Sequence, residues 1–252
     1  MSLNVVIEIC AGSVESAIAA KKGGAQRIEL CSALSEGGLT PSLAMIEYVK
    51  RNLKIETFVL IRPRSGDFSY SRAEFEVMKS DIFSAKAKDA DGIVTGMLNT
   101  DGSIDTCRMK EIMDLARPLP VTFHRAFDLT RDPDKALEEI IKLGCKRILT
   151  SGQSKNALLG AELIARLVKI ADKRISIMPG GGINAGNLRQ LFDLSGAMEY
   201  HLSATTQIAS RMIFRKEGIS MGNAAGNEYE MAQTDQKMVA EICQLAGILG
   251  KE

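Results

Sequence analysis

From residue 5 to residue 203 the chain alternates short apolar runs with longer stretches of helical periodicity. The first run, 5–10 (VVIEIC), is rich in β-branched residues and is bounded by Ala11-Gly12. Ser13 then stands where it caps a helix carrying Val14, Ala17, Ile18 and Lys21 at helical spacing. Runs of strand character recur at 26–31, 56–62, 91–95, 120–127, 147–151, 174–178 and 197–203. The stretches 42–52, 72–88, 105–116, 132–143, 156–169 and 185–192 fill the gaps with apolar positions three and four apart. Pro133 falls in a first helical turn, where no N–H is needed, and the Pro and Gly of 62–67 (RPRSGD) mark a turn. The tract 205–234 is small, polar and without a period, which predicts an extended loop, and 235–249 predicts a closing amphipathic helix.

Strands that each precede a helix pair in parallel, and eight such units close as an α/β fold of the (β/α)8 TIM barrel type. A single domain over residues 1–252 is expected, since such barrels reach this length undivided. The segments GGAQRIEL, LGCKRILT and SGAMEYHL echo one another as helix end, glycine and strand. An open doubly wound sheet is the alternative.

Composition narrows the function classes. The 32 basic and 31 acidic residues leave a formal net charge of +1, which favours neither nucleic acid nor an anionic membrane. No run is long and apolar enough to span a bilayer, and the N-terminus lacks a signal pattern, so a cytoplasmic protein is expected. Five cysteines, an odd number spread along the chain, read as free thiols.

In such barrels chemistry gathers at the C-terminal strand ends. Glu8, Glu29, Arg62, Arg64, His124, Asp128, Thr150, Ser151, Glu199 and His201 all fall late in a predicted strand or just beyond one, and the set contains both histidines of the chain. Alternation puts Glu199, His201 and Ser203 on one strand face, and His124 on a face with Thr122 and Ala126. The catalytic candidates are His124, Glu8, Glu29, Glu199 and His201, as proton-moving groups; the plainer reading is a buried ion-pair network. For a small anionic ligand, Arg62 and Arg64 offer a bidentate clamp. Thr150 and Ser151 offer hydroxyls, and Gly180, Gly181 and Gly182 of MPGGGI offer backbone amides at a helix start; those glycines equally suit a tight turn.

Two strands end alike, in Ile7-Glu8-Ile9-Cys10 and Ile28-Glu29-Leu30-Cys31. Neighbouring strands lie ~4.8 Å apart, so Cys10 and Cys31 come within joint reach of one soft metal ion, Cu(I) or Zn(II). Without a CxxC pair, both also read as small buried hydrophobes. Cys107, Cys145 and Cys243 fall on or beside helices and carry no assigned role. The twelve methionines read as core filler, and no strand-end lysine is available for a Schiff base.

EIC at 8–10, RIELCSALSEGGLTPS at 27–42, IRPRSGDFSYS at 61–71, DGIVTG at 91–96, TFHRAFD at 122–128, ILTSG at 148–152, PGGGI at 179–183 and EYHLSA at 199–204 together resemble the CutC family of copper homeostasis proteins. The matches run in order from residue 8 to about 204, and EGGLTPS and TFHRAFD are the specific ones. The resemblance implies a cytoplasmic (β/α)8 barrel, a homodimer or larger homo-oligomer, with a role in copper tolerance. It also implies copper binding through two cysteines, which match Cys10 and Cys31 in motif and spacing. Ser65 and Gln153 stand where glycines are common in the family, outside the Glu, His and Cys set. The alternative function is a barrel enzyme, a lyase or isomerase, acting on a small phosphorylated or carboxylated metabolite.

Overall fold

The helix starts are written in the sequence as side-chain caps. Ser13, Ser42, Ser71, Asp105, Asp132, Asn184 and Asp235 each accept a hydrogen bond from a first-turn amide of the helix that follows. Ser71 and Glu74 close a full capping box. A computed structural model describes residues 5–219, 221 and 228–251. Its strands are β1 (Val6–Ala11), β2 (Arg27–Leu30), β3 (Glu56–Leu60), β4 (Gly92–Thr95), β5 (Val121–Phe123), β6 (Arg147–Thr150), β7 (Ser176–Pro179) and β8 (Glu199–Leu202). Between and after them lie α1 (Val14–Lys22), α2 (Leu43–Asn52), α3 (Arg72–Ala87), α4 (Thr106–Ala116), α5 (Pro133–Leu143), α6 (Ala161–Ala171) and α7 (Ala185–Ser195). A ribbon of β9 (Thr205–Ala209) and β10 (Glu230–Thr234) leads to α8 (Gln236–Leu249).

The eight parallel strands run in the order β7-β6-β5-β4-β3-β2-β1-β8, and a parallel bridge between Gly180 and His201 nearly closes the sheet into a barrel. Period-two alternation sorts the side chains. Ile7, Ile9, Ile28, Leu30, Val59, Ile93, Phe123 and Ile148 join the continuous core between sheet and helices. Cys10, Cys31, Phe58, Leu60 and Val94 form a separate apolar cluster, with Leu34 packed on it. Among the described residues, no helix is long and apolar enough to cross a membrane.

The lower part of the barrel interior is charged. Arg27 donates to Glu8 and to Glu199, and Arg147 donates to Glu199 at 2.9 Å. The guanidinium carbons of Arg27 and Arg147 lie 5.3 and 4.8 Å from the centre of the Phe58 ring. Gly92 makes room for that ring: a Cβ there would come 2.2 Å from Phe58 Cε1.

Three elements differ from the sequence reading. Glu199 was expected late in its strand, yet it is the first residue of β8 and belongs to the charged floor. Strand β5 stops at Phe123, because His124 Nδ1 accepts the Ala126 amide and turns the chain into a 3-10 turn, Arg125–Leu129; Ala126 therefore leaves the face of His124. Within 205–234, Thr205–Ala209 and Glu230–Thr234 pair antiparallel, with Thr205 opposite Thr234, where a loop was expected. Residues 220 and 222–227 of that tract lie outside the described residues.

Removing one partner of a buried ion pair leaves the other charge uncompensated, at about 3–5 kcal/mol. Arg27→Leu leaves Glu8 with His201 alone and Glu199 with Arg147 alone, so urea unfolding should show a loss towards the lower end of that range. A loss below about 1 kcal/mol, the scale of surface pairs, would mean that the floor does not hold the barrel.

Candidate functional site

Parallel register places Cys10 of β1 directly beside Glu29 of β2, and Cys31 follows β2. Both sulfurs turn into the barrel, 3.6 Å apart. The Cys10 thiol donates to Glu29 Oε1 at 3.3 Å, and the Cys31 thiol reaches the Ala11 carbonyl at 3.8 Å. All three side chains are buried, and their ligand atoms lie within 4.8 Å of one another. A second trio, Glu8, Glu29 and His201, meets the same limit and shares Glu29 with the first. His201 Nδ1 is 2.8 Å from Glu8 Oε1.

Charges set the protonation here. Burial works against an ionised Glu8, but the His201 hydrogen bond and the Arg27 charge outweigh it and hold Glu8 at about 2. Burial raises Glu29 from its ordinary value, with Glu8 adding to the rise and His201 opposing it. Burial also disfavours a charged His201, yet Glu29 and Glu8 raise it. The Cys31 sulfur, then burial and Glu29, push the Cys10 thiol well above its usual range, so an ion entering beside it must displace a proton.

Above this cluster opens a cavity of about 450 Å³. Cys10, Glu29 and His201 line it, as do Arg62, Phe68, His124, Arg125, Gly181 and Gly182. His124 is 5% exposed; its Nδ1 accepts the Ala126 amide at 3.2 Å, and its Nε2 has no partner. Arg62 is 6% exposed and donates at 2.9 Å to the carbonyls of Glu36, Gly38 and Gly66, while its Nε has no partner. The loop that supplies two of those carbonyls needs its glycine: Gly38 has φ +87°, and a Cβ on it would press within 2.8 Å of Leu60. Phe68 joins the two side chains, its ring 4.7 Å from that of His124 and 5.1 Å from the Arg62 guanidinium carbon.

The cavity therefore gathers Cys10, Glu29, His124, His201, Arg62, Gly181 and Gly182 from the sequence candidates. Cys31 and Glu8 lie behind them, in contact with Cys10 and His201. The clamp of Arg62 with Arg64 does not form, because Arg64 is held by Glu74 at 2.6 Å and Asp67 at 3.0 Å, against Tyr70. Thr150 and Ser151 direct their hydroxyls to Asp128, and Gly180 is engaged in the bridge to His201. The start of α7 is capped by its own Asn184 and Asn187 rather than left open to an anion. Asp128, one of the strand-end polar residues but given no role, also lines it, as do Arg125 and Phe68, which were not singled out. Arg125 and Asp128 pair at 2.7 Å across the 3-10 turn, and their place in TFHRAFD beside His124 is the signal that could have found them.

A nearly closed eight-stranded parallel barrel, with thiols, carboxylates and imidazoles at its C-terminal strand ends, defines a (β/α)8 protein with its candidate site at the mouth. The chain belongs to the CutC family, whose model matches residues 5–206. It is 50% identical over 242 residues to the human protein named copper homeostasis protein cutC homolog, covering 96% of this chain and 89% of that one. A family protein CutC from Chromobacterium violaceum is 46% identical over 240 residues, covering 95% and 97%. The crystal structure of a CutC protein from Streptococcus agalactiae superimposes with a TM-score of 0.76 at 33% identity, covering 79% of this chain and 98% of that one. Phosphoribosylanthranilate isomerase from Pyrococcus furiosus, at 14% identity and a TM-score of 0.54, covering 96% and 98%, shares the fold alone.

Burial, and after it the Arg62 charge, hold His124 neutral, its pKa lowered from 6.5 to about 3. The unfolded chain binds this proton near 6.5 and the folded chain does not, so the His124 contribution is complete above 6.5 and is lost as pH falls towards 3. His201 acts oppositely: its raised value favours the folded state below 6.5 and that contribution fades as pH rises through the raised value. Glu8 matters only below its ordinary 4.5. Between about pH 6 and 5, His124→Asn, which keeps an acceptor for the Ala126 amide, should show a shallower acid loss of stability than wild type, by up to about 1.4 kcal/mol per pH unit. Parallel urea-midpoint curves for the two proteins would contradict a neutral buried His124.

Proposed function

We propose that this chain is a cytoplasmic copper homeostasis protein that takes up one Cu(I) between Cys10 and Cys31. The observation that carries the reading is the 3.6 Å separation of two buried sulfurs at the ends of adjacent strands. Soft thiolates select Cu(I). With metal–sulfur bonds of about 2.3 Å, as at zinc, sulfurs at this spacing suit a bent rather than a linear pair. Glu29, which accepts from Cys10, is placed to become a third ligand. Copper is the cargo here, and the names of the relatives support that role. Free thiols at the site accord with a reducing compartment, and assembly as a homodimer or larger homo-oligomer forms part of the same reading.

A second reading, a lyase or isomerase acting on a small anionic metabolite, draws support from neutral His124 and the raised Glu29 facing one cavity. In it Glu8, Glu29 and His201 move protons while His124 donates its one N–H to the bound anion.

The deciding experiment is a competitive Cu(I) titration under anaerobic, reducing conditions, on wild type and on Cys10→Ser/Cys31→Ser. Wild type should hold one equivalent against a strong chelator and the double variant none. Equal retention by both, or by neither, would remove the thiols from any copper site and leave them as packing residues.

A further inference from the structure

Arg62 is a cation for which the described residues supply no counter-charge. All three of its side-chain hydrogen bonds end on backbone carbonyls, and among the described residues it has no carboxylate partner. A guanidinium 6% exposed and surrounded only by neutral groups is expensive to bury. The other arginines of the interior are treated differently: Arg27 and Arg147 share Glu199, and Arg125 has Asp128. Arg62 also keeps an N–H, at Nε, outside hydrogen-bond geometry with any described acceptor, with the Tyr70 hydroxyl, equally unpartnered, close to the guanidinium.

His124 stands beside it across Phe68 with the complementary property. Since Nδ1 accepts the Ala126 amide, the ring proton resides on Nε2, and this buried N–H likewise has no acceptor. Four buried side-chain nitrogen or oxygen atoms without a partner occur among the described residues; these are the two whose side chains line the mouth cavity. One positive charge and two single N–H donors match the charge and the two oxygens of a carboxylate better than they match a phosphate, which carries more charge and more acceptor oxygens. The rest of the wall includes Leu60, Leu129, Leu149, Ile183 and Leu202, against which an apolar skeleton can lie.

We propose that the barrel mouth is a binding site for a small organic monocarboxylate, whose carboxylate accepts from Arg62 Nε and His124 Nε2 while its carbon skeleton rests on Phe68 and the leucines of the wall. The site does not depend on the copper reading, and it supplies a substrate class for the second one.

The chain has only two histidines, so their ring ¹⁵N–¹H signals report separately. Metal-free protein is titrated with acetate, pyruvate and benzoate, each to about 50 mM at constant ionic strength, a range that covers millimolar affinity. At least one should shift the His124 ring signals saturably and raise the melting temperature. The protein is metal-free throughout, which separates this result from any failure of copper binding. Arg62→Met should weaken binding by at least about tenfold, the scale of a lost charge-assisted hydrogen bond, and Arg64→Met should not. Should Arg62→Met fail to fold, His124→Asn, followed by thermal shift, should show the same direction of loss. Non-saturable shifts from all three acids overturn the proposal. So does inorganic phosphate displacing the carboxylate at equal or lower concentration, or undiminished binding by the variants that remain folded.

Discussion

Everything in the interior of this barrel depends on how Arg27 is neutralised. It lies at the start of β2, buried, and ties Glu8 of β1 to Glu199 of β8. Of these strands β8 borders the seam with β7, where the sheet closes only through the Gly180–His201 bridge. Glu199 also takes Arg147 from β6, so two guanidiniums meet two carboxylates around the Phe58 ring. A paired arrangement of this kind adds little stability over an apolar core of equal volume, but losing one member is severe. The network thus fixes which strands sit side by side more than it strengthens them.

From that floor the constraint passes upward one group at a time. Glu8, held ionised by Arg27 and His201, favours a charged His201 in return. His201 in turn opposes the rise that burial imposes on Glu29, and Glu29 accepts the thiol of Cys10, which touches Cys31. A cysteine pair placed in this way ends a chain of interacting groups that runs from Arg27 through Glu8, His201 and Glu29. Its environment is therefore unlike that of the buried, apolar Cys145, whose thiol burial pushes up to about 12.

How much of this the sequence carried follows from which signals are local. Helix starts were legible because caps are local chemistry, and strand identity because β-branched runs are. The twin endings Ile7–Cys10 and Ile28–Cys31 bring the sulfurs together although the strands pair two residues out of step, Cys10 opposite Glu29, because an offset of two keeps both thiols on one face. The site set was less legible where a partner from elsewhere in the chain decides a side chain's fate. Arg64 looks like an anion clamp until Glu74, a helical turn into α3, takes it. Thr150 and Ser151 look like free hydroxyls until Asp128, from the turn after β5, accepts from them. Glu199 looked late in its strand because the run 197–203 gives no sign that pairing begins only at the glutamate. The β9–β10 ribbon was missed because its strands are polar and lie about twenty residues apart, so neither period nor turn chemistry announces the pairing.

The same contrast between paired and unpaired groups separates the two levels of the mouth. Cys31 is fully buried and Cys10 is 7% exposed, so an ion reaching the sulfurs has to pass through the cavity that Arg62, Phe68 and His124 line. That passage presents a positive charge and two outstanding N–H donors, which repel a bare cation and attract an anion. The floor of the barrel is balanced by the chain's own residues, while the mouth is left with an unpaired positive charge.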